Sequence, residues 1–139
     1  MESWDVNMVK IFISYRDEDI ERRNAFSGLL NNPNAKFTDV PIEERENYRG
    51  TSEETIKNYL RPLVSEAGCL ILLVGENTHN GKFLNWEIDV AISQQKPIGA
   101  IRIPETKGGL PPKLHELNIQ IVDWNRNEIQ NMINQLVGR

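Results

Sequence analysis

Cys69-Leu70-Ile71-Leu72-Leu73-Val74 is an unbroken apolar run in the middle of the chain, and it decides the fold. A strand with one face in water alternates apolar and polar side chains, whereas this run does not. Unbroken apolar strands are typical of parallel sheets that helices cover on both faces. The run therefore predicts a central strand of an α/β domain.

Four further segments, rich in β-branched and aromatic residues, predict the remaining strands. Two precede the central strand, at Val9–Tyr15 and Lys36–Val40, and two follow it, at Pro97–Ile103 and Ile119–Val122. Stretches rich in charged residues, proline, glycine or asparagine separate the strands from their neighbours.

Helices are predicted between the strands from apolar residues at helical spacing. The first helix ends at Leu30, and the second begins where Thr51 and Glu54 have capping-box spacing. The third covers Lys82–Gln94, and the last starts near Asn127, a residue type suited to a helix cap.

The element order is β–α repeated five times, which predicts a five-stranded parallel sheet between two layers of helices. The simplest arrangement is the flavodoxin-like three-layer fold with strand order 2-1-3-4-5. At 139 residues the chain suits one domain, 1–139, with its core at about 9–137. Long surface loops are expected at 40–50 and 104–112, because both stretches lack a helical or strand period.

Composition excludes several classes of function. The net charge of −4 offers no basic stripe for a nucleic acid. No run approaches the ~18 apolar residues of a membrane span, and the start lacks a signal-peptide pattern, so we expect a soluble, cytoplasmic protein. The lone Cys69 is expected to be buried and inert, and His79 and His115 lie too far apart to predict a metal site.

A ligand of an open α/β sheet binds beyond the carboxyl ends of the strands, at the point where the strand order reverses. For the predicted order this point lies between strands one and three. The loops there hold Ser14-Tyr15-Arg16-Asp17 and residues 75–81. The chain contains no P-loop (G-x-x-x-x-G-K-S/T), no dinucleotide fingerprint (G-x-G-x-x-G) and no nucleophile elbow (G-x-S-x-G).

Glu87 is the candidate functional residue of the third helix. At about 100° per residue it borders the apolar stripe, beside Phe83 and close to the helix N-terminus. A partly desolvated carboxylate near a sheet crevice is a functional candidate. The alternative is a glutamate at the edge of the core that accepts bonds from backbone amides. The predicted apolar stripe consists of Leu84, Ile88, Ala91 and Ile92.

Trp86 is predicted to project toward the polar side of the same helix. A solvent-facing tryptophan often marks a contact surface, so Trp86 is a candidate interface residue. The side chain lying flat on a neighbouring loop is the alternative.

Two stretches carry a family resemblance: Lys10-Ile11-Phe12-Ile13-Ser14-Tyr15 with the charged residues after it, and Phe83-Leu84-Asn85-Trp86-Glu87-Ile88 after the central strand. They resemble TIR domains, and in particular the bacterial TIR-like group of the Thoeris antiphage systems. The resemblance covers almost the whole chain, roughly 9–122. Phe83 stands where the family usually has the tryptophan of a W-x-x-x-E string, and it keeps an aromatic side chain there.

The resemblance implies an enzyme that cleaves NAD at the nicotinamide–ribose bond, with Glu87 as the catalytic residue. The product would be a cyclic or modified ADP-ribose, a signal for a separate effector protein in antiphage defence. NAD is the substrate and no cofactor is implied, while the loop at 40–50 corresponds to one that often gates the site or mediates self-association. The predicted substrate-binding residues are Ser14, Tyr15, Arg16, Asp39, Thr78 and Phe83.

Two other functions stay open at the level of sequence. A TIR-like domain can act as a non-catalytic interaction module, with Trp86 and the charged stretch 43–49 as its surfaces. A flavodoxin-like sheet can also bind a flavin or another nucleotide, an inference from fold analogy alone.

Overall fold

The computed structural model describes residues 9–30, 37–40 and 52–138, with the backbone alone for 37–40. The strands are β1 (Val9–Ser14), β2 (Phe37–Val40), β3 (Cys69–Val74), β4 (Ile98–Arg102) and β5 (Gln120–Val122). The α-helices are α1 (Ile20–Leu30), α2 (Glu53–Glu66), α3 (Lys82–Ser93) and α4 (Arg126–Leu136). Short 3-10 turns lie at Asp17–Asp19, Thr78–Asn80 and Pro112–Leu114.

The five strands form one parallel sheet in the order β2-β1-β3-β4-β5. This confirms the predicted flavodoxin-like α/β fold and its strand order. In the register of β1 and β3, Ser14 lies beside Leu72, so both strands end at the same edge of the sheet. The chain leaves β1 and β3 in different directions there, which opens a crevice.

The core follows from the apolar run that predicted the central strand. All six residues of β3 are fully buried, as expected for a strand with neighbours on both edges and helices on both faces. Helix α2 turns Ile56, Leu60 and Val64 inward. Burial raises the pKa of the Cys69 thiol to about 12, which keeps it protonated and unreactive, as predicted.

The connection from β4 to β5 differs from the predicted β–α repeat. Within the described residues it contains no α-helix, only the 3-10 turn Pro112–Leu114. Proline interrupts a helix because it lacks the backbone N–H and clashes with the preceding turn, and this stretch contains Pro104, Pro111 and Pro112. The predicted loop at 104–112 is therefore present, and the repeat count of five was wrong.

Two helix starts also differ from the prediction. Helix α2 is capped by Ser52, whose hydroxyl accepts a hydrogen bond from the backbone N–H of Thr55 at 3.2 Å. Thr51 and the loop at 40–50, beyond Val40 itself, lie outside the described residues. Helix α4 is capped by Asn125, not by Asn127, because Asn125 has extended backbone geometry and a side chain that reaches the first turn.

The cap of α4 gives a direct test of this correction. The Asn125 side-chain oxygen accepts from the Glu128 N–H at 3.1 Å, whereas Asn127 is an exposed residue inside the helix. We expect Asn125→Ala to lower the free energy of unfolding by about 1 kcal/mol in urea titrations. Asn127→Ala should leave it unchanged or raise it slightly, because alanine is the better helix former. Equal effects of the two substitutions would contradict the assigned cap.

Within the described residues, no helix is both long and apolar enough to cross a membrane.

Candidate functional site

The crevice between the carboxyl ends of β1 and β3 holds a pocket of about 360 Å³. One wall is the turn after β1, and the other is the loop before α3 together with its first turn. The residues lining the pocket are Arg16, Asp17, Glu18, Asn80, Gly81, Lys82, Phe83 and Leu84. The pocket therefore lies at the predicted switch point of the sheet.

Glu87 lies in the second turn of α3, one turn after the pocket-lining Phe83, and its side chain is fully buried. Among the side chains that the structure describes, it is the one buried carboxylate. The Ser14 hydroxyl donates a hydrogen bond to Glu87 Oε1 at 2.6 Å, and Ser14 is also fully buried. This distance lies at the short end of the range for a hydrogen bond between two oxygen atoms.

The burial of Glu87 corrects one part of the alternative interpretation, its place at the edge of the core, while its bonding to backbone amides stays a prediction. Glu87 does not sit at the edge of the core, since it is 0% exposed. A charge in such a place costs several kcal/mol unless other groups compensate it. A side-chain hydroxyl from a neighbouring strand supplies part of that compensation, so the carboxylate is held at a specific point of the crevice.

Two other predicted substrate-binding residues, Tyr15 and Thr78, are buried in the structure. Thr78 Oγ1 accepts from the Gly75 N–H at 2.8 Å and lies 3.2 Å from the Leu73 carbonyl oxygen, to which it donates. Thr78 thereby holds the turn between β3 and α3. Like that of Ser14, its hydroxyl is engaged inside the protein, and contact of either residue with a substrate stays a prediction.

Arg16 and Phe83, by contrast, line the pocket, and their contact with a substrate stays a prediction. Arg16 forms a long ion pair with Glu18, with 3.9 Å between Nη2 and Oε1. So long a pair in partly exposed side chains contributes little, and the guanidinium can exchange it for another anion. Asp39 belongs to β2 by its backbone, but its side chain lies outside what the structure describes.

Lys82 and Asn80 also line the pocket, and neither was predicted as a site residue. Lys82 Nζ lies 5.1 Å from the centre of the Trp86 ring, within range of a cation–π interaction. Together with Arg16, this gives the pocket two cationic side chains near the N-terminus of α3. Position near a helix start was the available signal, since backbone N–H groups there attract anions.

Asp19 is a further carboxylate of the crevice that sequence reasoning did not single out. Its Oδ2 is buried with no hydrogen-bond partner within the described part of the chain, and it packs against Gly75, where a Cβ would lie 2.7 Å from that oxygen. Burial raises the pKa of the Asp19 carboxyl above its ordinary value, and Glu18 adds to the rise while Arg16 opposes it.

The loop after β4 braces the loop after β3. The Lys107 N–H donates to Glu76 Oε1 at 2.9 Å, and Arg102 Nη1 donates to the Gly108 carbonyl at 2.6 Å. Thr106 Oγ1 donates to the Ile103 carbonyl at 2.7 Å and lies 3.3 Å from that of Val74. These bonds fix residues 102–108 against the turn from which α3 starts.

The prediction that Trp86 faces solvent was wrong, because its side chain is 8% exposed. The Phe83 and Trp86 rings meet edge to face, with 5.5 Å between their centres. Helix α3 is buried over more than one stripe, because it packs on the sheet and is bonded to α2 through Lys57 and Asp89 at 3.1 Å. Conversely Ile92, predicted to be in the apolar stripe, is 39% exposed.

Two solved structures resemble the chain at the level of fold. The TIR domain of the Toll-related receptor TRR-2 from Hydra magnipapillata is 14% identical, with 91% of this chain and 96% of that chain covered and a TM-score of 0.61. The SEFIR domain of IL-17 receptor B is 9% identical, with 94% and 96% covered and a TM-score of 0.63. No curated protein sequence matches the chain.

A comparison with family models supplies the identity that these distant structures cannot. Residues 12–108 match the model described as "Thoeris protein ThsB, TIR-like domain". The match runs from β1 to the loop after β4, so it includes Ser14, the pocket and Glu87. It covers more than half of the 139 residues. The chain belongs to the family of TIR-like domains of the Thoeris protein ThsB.

Proposed function

We propose that the protein cleaves NAD at the bond between nicotinamide and ribose, with Glu87 as the catalytic residue. The observation that carries the proposal is the fully buried carboxylate of Glu87, held by Ser14 beside a pocket at the switch point of the sheet. Membership of a TIR-like family, which resembles NAD-cleaving enzymes, supports the same reaction.

The chemistry needs few groups. When the C–N bond breaks, its electron pair goes to the pyridine ring nitrogen, and nicotinamide leaves as a neutral molecule. The ribose carbon is left with the character of an oxocarbenium ion, which a nearby carboxylate stabilises. A hydroxyl group then forms the new bond to this carbon and loses its proton. Water gives ADP-ribose, whereas a hydroxyl of the same nucleotide gives a cyclic product.

The pocket carries charges of both signs, because Asp17 and Glu18 line it as well as Arg16 and Lys82. Arg16 and Lys82 both line it and can bind the pyrophosphate of NAD, Arg16 by two parallel N–H donors. The N–H groups at the start of α3 face the same space and favour an anion. A pocket of about 360 Å³ accommodates part of a dinucleotide, so the remainder of NAD would extend toward solvent.

Access to Glu87 requires movement, because the side chain is 0% exposed. Phe83 lines the pocket and lies one turn before Glu87 on α3, so both side chains lie on the same side of the helix. A displacement of Phe83 would join the pocket to the carboxylate. On this view the chain is held in a closed state until a trigger or self-association opens it.

The test is nicotinamide release from NAD by the purified chain at high concentration, resolved by chromatography. The proposal expects nicotinamide together with an ADP-ribose product, and the retention of that product separates a linear from a cyclic form. A modified ADP-ribose would act as a signal for a separate effector protein in antiphage defence. The signalling step would then be tested by adding the separated products to the effector protein and measuring whether its activity changes.

A non-catalytic interaction module is the second candidate, and one surface favours it. Ile92 and Leu117 are 39% and 47% exposed and line a cavity of about 540 Å³ at the amino ends of β4 and β5. Lys96 also lines this cavity, but its ammonium group donates to the Ser65 carbonyl at 3.0 Å. Polar side chains also line the cavity, namely Gln95, Asn118, Gln120 and Gln135, so the surface is suited to a mixed apolar and polar contact with a second copy of the chain. This surface replaces Trp86 as the candidate interface, because the Trp86 side chain is buried.

Self-association through this surface is directly measurable. We expect Leu117→Asp to reduce the mass of the assembled protein in light scattering, because a charge would be buried at the contact. Tyr59 is 44% exposed on α2 and supplies the matched control. Tyr59→Asp should leave the mass unchanged. An equal mass for Leu117→Asp and the wild type would exclude this surface as the contact.

A further inference from the structure

We propose that Ser14 is a positioning residue for Glu87 and acts on the reaction through that carboxylate, not by contact with the substrate. The inference rests on the proposed function and adds a residue to it. It stands on the geometry of two side chains from different elements, the last residue of β1 and the second turn of α3.

The hydrogen bond joins two groups with little freedom. Ser14 ends β1 and is held in register beside Leu72 of the central strand, so its Cβ has a fixed direction. Its Oγ lies 2.6 Å from Glu87 Oε1, and both side chains are 0% exposed. Water therefore cannot replace either partner in this state, and the Ser14 hydroxyl helps to fix where the Oε1 atom lies.

The direction of the bond matters for what Ser14 can do. A serine hydroxyl has one proton, and here that proton is donated to the carboxylate. The hydrogen bond places a donor against Oε1 of the carboxylate that would face the positive ribose carbon. It also fixes the side-chain torsions of a long residue, so the second oxygen keeps one direction.

Thr78 carries another buried hydroxyl group of the site, and its hydrogen bonds have a different role. Thr78 bonds to the backbone of Gly75 and Leu73 and holds the loop. Ser27, at 9% exposure, lies on α1. It is seven residues after Ile20, which places it about 10 Å along the helix axis from the end of α1 that follows β1. Ser27 therefore serves as a matched control for the loss of a buried serine hydroxyl.

The experiment compares Ser14→Ala, Ser14→Thr and Ser27→Ala with the wild type in steady-state nicotinamide release. We expect Ser14→Ala to lower kcat about 10- to 100-fold with KM changed less than about threefold, because positioning is lost and binding is kept. Ser14→Thr restores the hydroxyl and should recover most of kcat, and Ser27→Ala should retain it. Circular dichroism checks that each variant is folded.

A second readout does not depend on activity. In carbon-detected NMR with labelled glutamate, the Glu87 carboxyl resonance is identified by its absence in Glu87→Gln. It should shift in Ser14→Ala and return toward the wild-type position in Ser14→Thr, since the carboxylate loses and regains its donor.

The outcomes separate this inference from the proposed function. Wild-type activity with full kcat in Ser14→Ala overturns the role of Ser14 and leaves the enzyme intact. A rise in KM with kcat unchanged also overturns it, because that result indicates substrate contact. Absence of activity in the wild type, with the resonance shift observed, removes the proposed function but confirms that Ser14 positions the carboxylate.

Discussion

Glu87→Gln should abolish nicotinamide release, with a loss of roughly 100-fold or more in kcat. Glutamine keeps the shape and can still accept the Ser14 hydrogen bond through its amide oxygen, so the crevice should stay folded. What it lacks is the negative charge that stabilises the ribose carbon as nicotinamide departs. The measurement is chromatographic quantification of nicotinamide against time at saturating NAD.

Glu116→Gln is the matched control for this substitution. Glu116 is exposed and lies between the 3-10 turn Pro112–Leu114 and β5, outside the pocket. The Glu116→Gln substitution changes the net charge by the same amount as Glu87→Gln and should keep wild-type activity. Equal activity of Glu87→Gln and the wild type would falsify the assignment of the carboxylate. Loss of activity in both variants would indicate an effect of net charge and not of position.

The fold was predictable from local patterns because each pattern had one strong cause. An unbroken apolar run requires burial on both faces, and β3 is indeed buried over its whole length. Element ends were predicted less well, since the cap depends on backbone geometry as much as on residue type. Asn125 and Asn127 are the same residue type, yet only Asn125 has the extended conformation that directs its side chain into the first turn.

The site was predictable in position but not in contacts. Glu87 and Arg16 were identified because strand ends and helix starts converge at the switch point. The bond between Ser14 and Glu87 joins residues 73 positions apart, and no periodicity connects them. The prediction that Trp86 faces solvent was wrong for a related reason. A helical wheel assumes one buried stripe, whereas α3 packs on the sheet and also lies against α2.

Gly108→Ala should destabilise the protein and impair the site, although Gly108 is outside the pocket. A Cβ at this position would lie 2.1 Å from the Gly75 carbonyl oxygen and 2.4 Å from that of Glu76. Both contacts are with backbone, so no side chain can turn away to relieve them. We expect the free energy of unfolding in urea to fall by about 2–3 kcal/mol, as for other overpacked sites.

Gly109→Ala separates this close approach from a general need for glycine in the loop. Nothing lies within 4 Å of a Cβ at Gly109, and neither glycine has a positive φ, so alanine is sterically allowed there. Its stability should be unchanged or slightly higher, because alanine lowers the entropy of the unfolded chain. Since residues 102–108 brace the turn that leads into α3, Gly108→Ala should also lower nicotinamide release while Gly109→Ala retains it. Wild-type stability in Gly108→Ala would mean that the two loops separate easily, and the inference that residues 102–108 fix the turn leading into α3 would have to be given up.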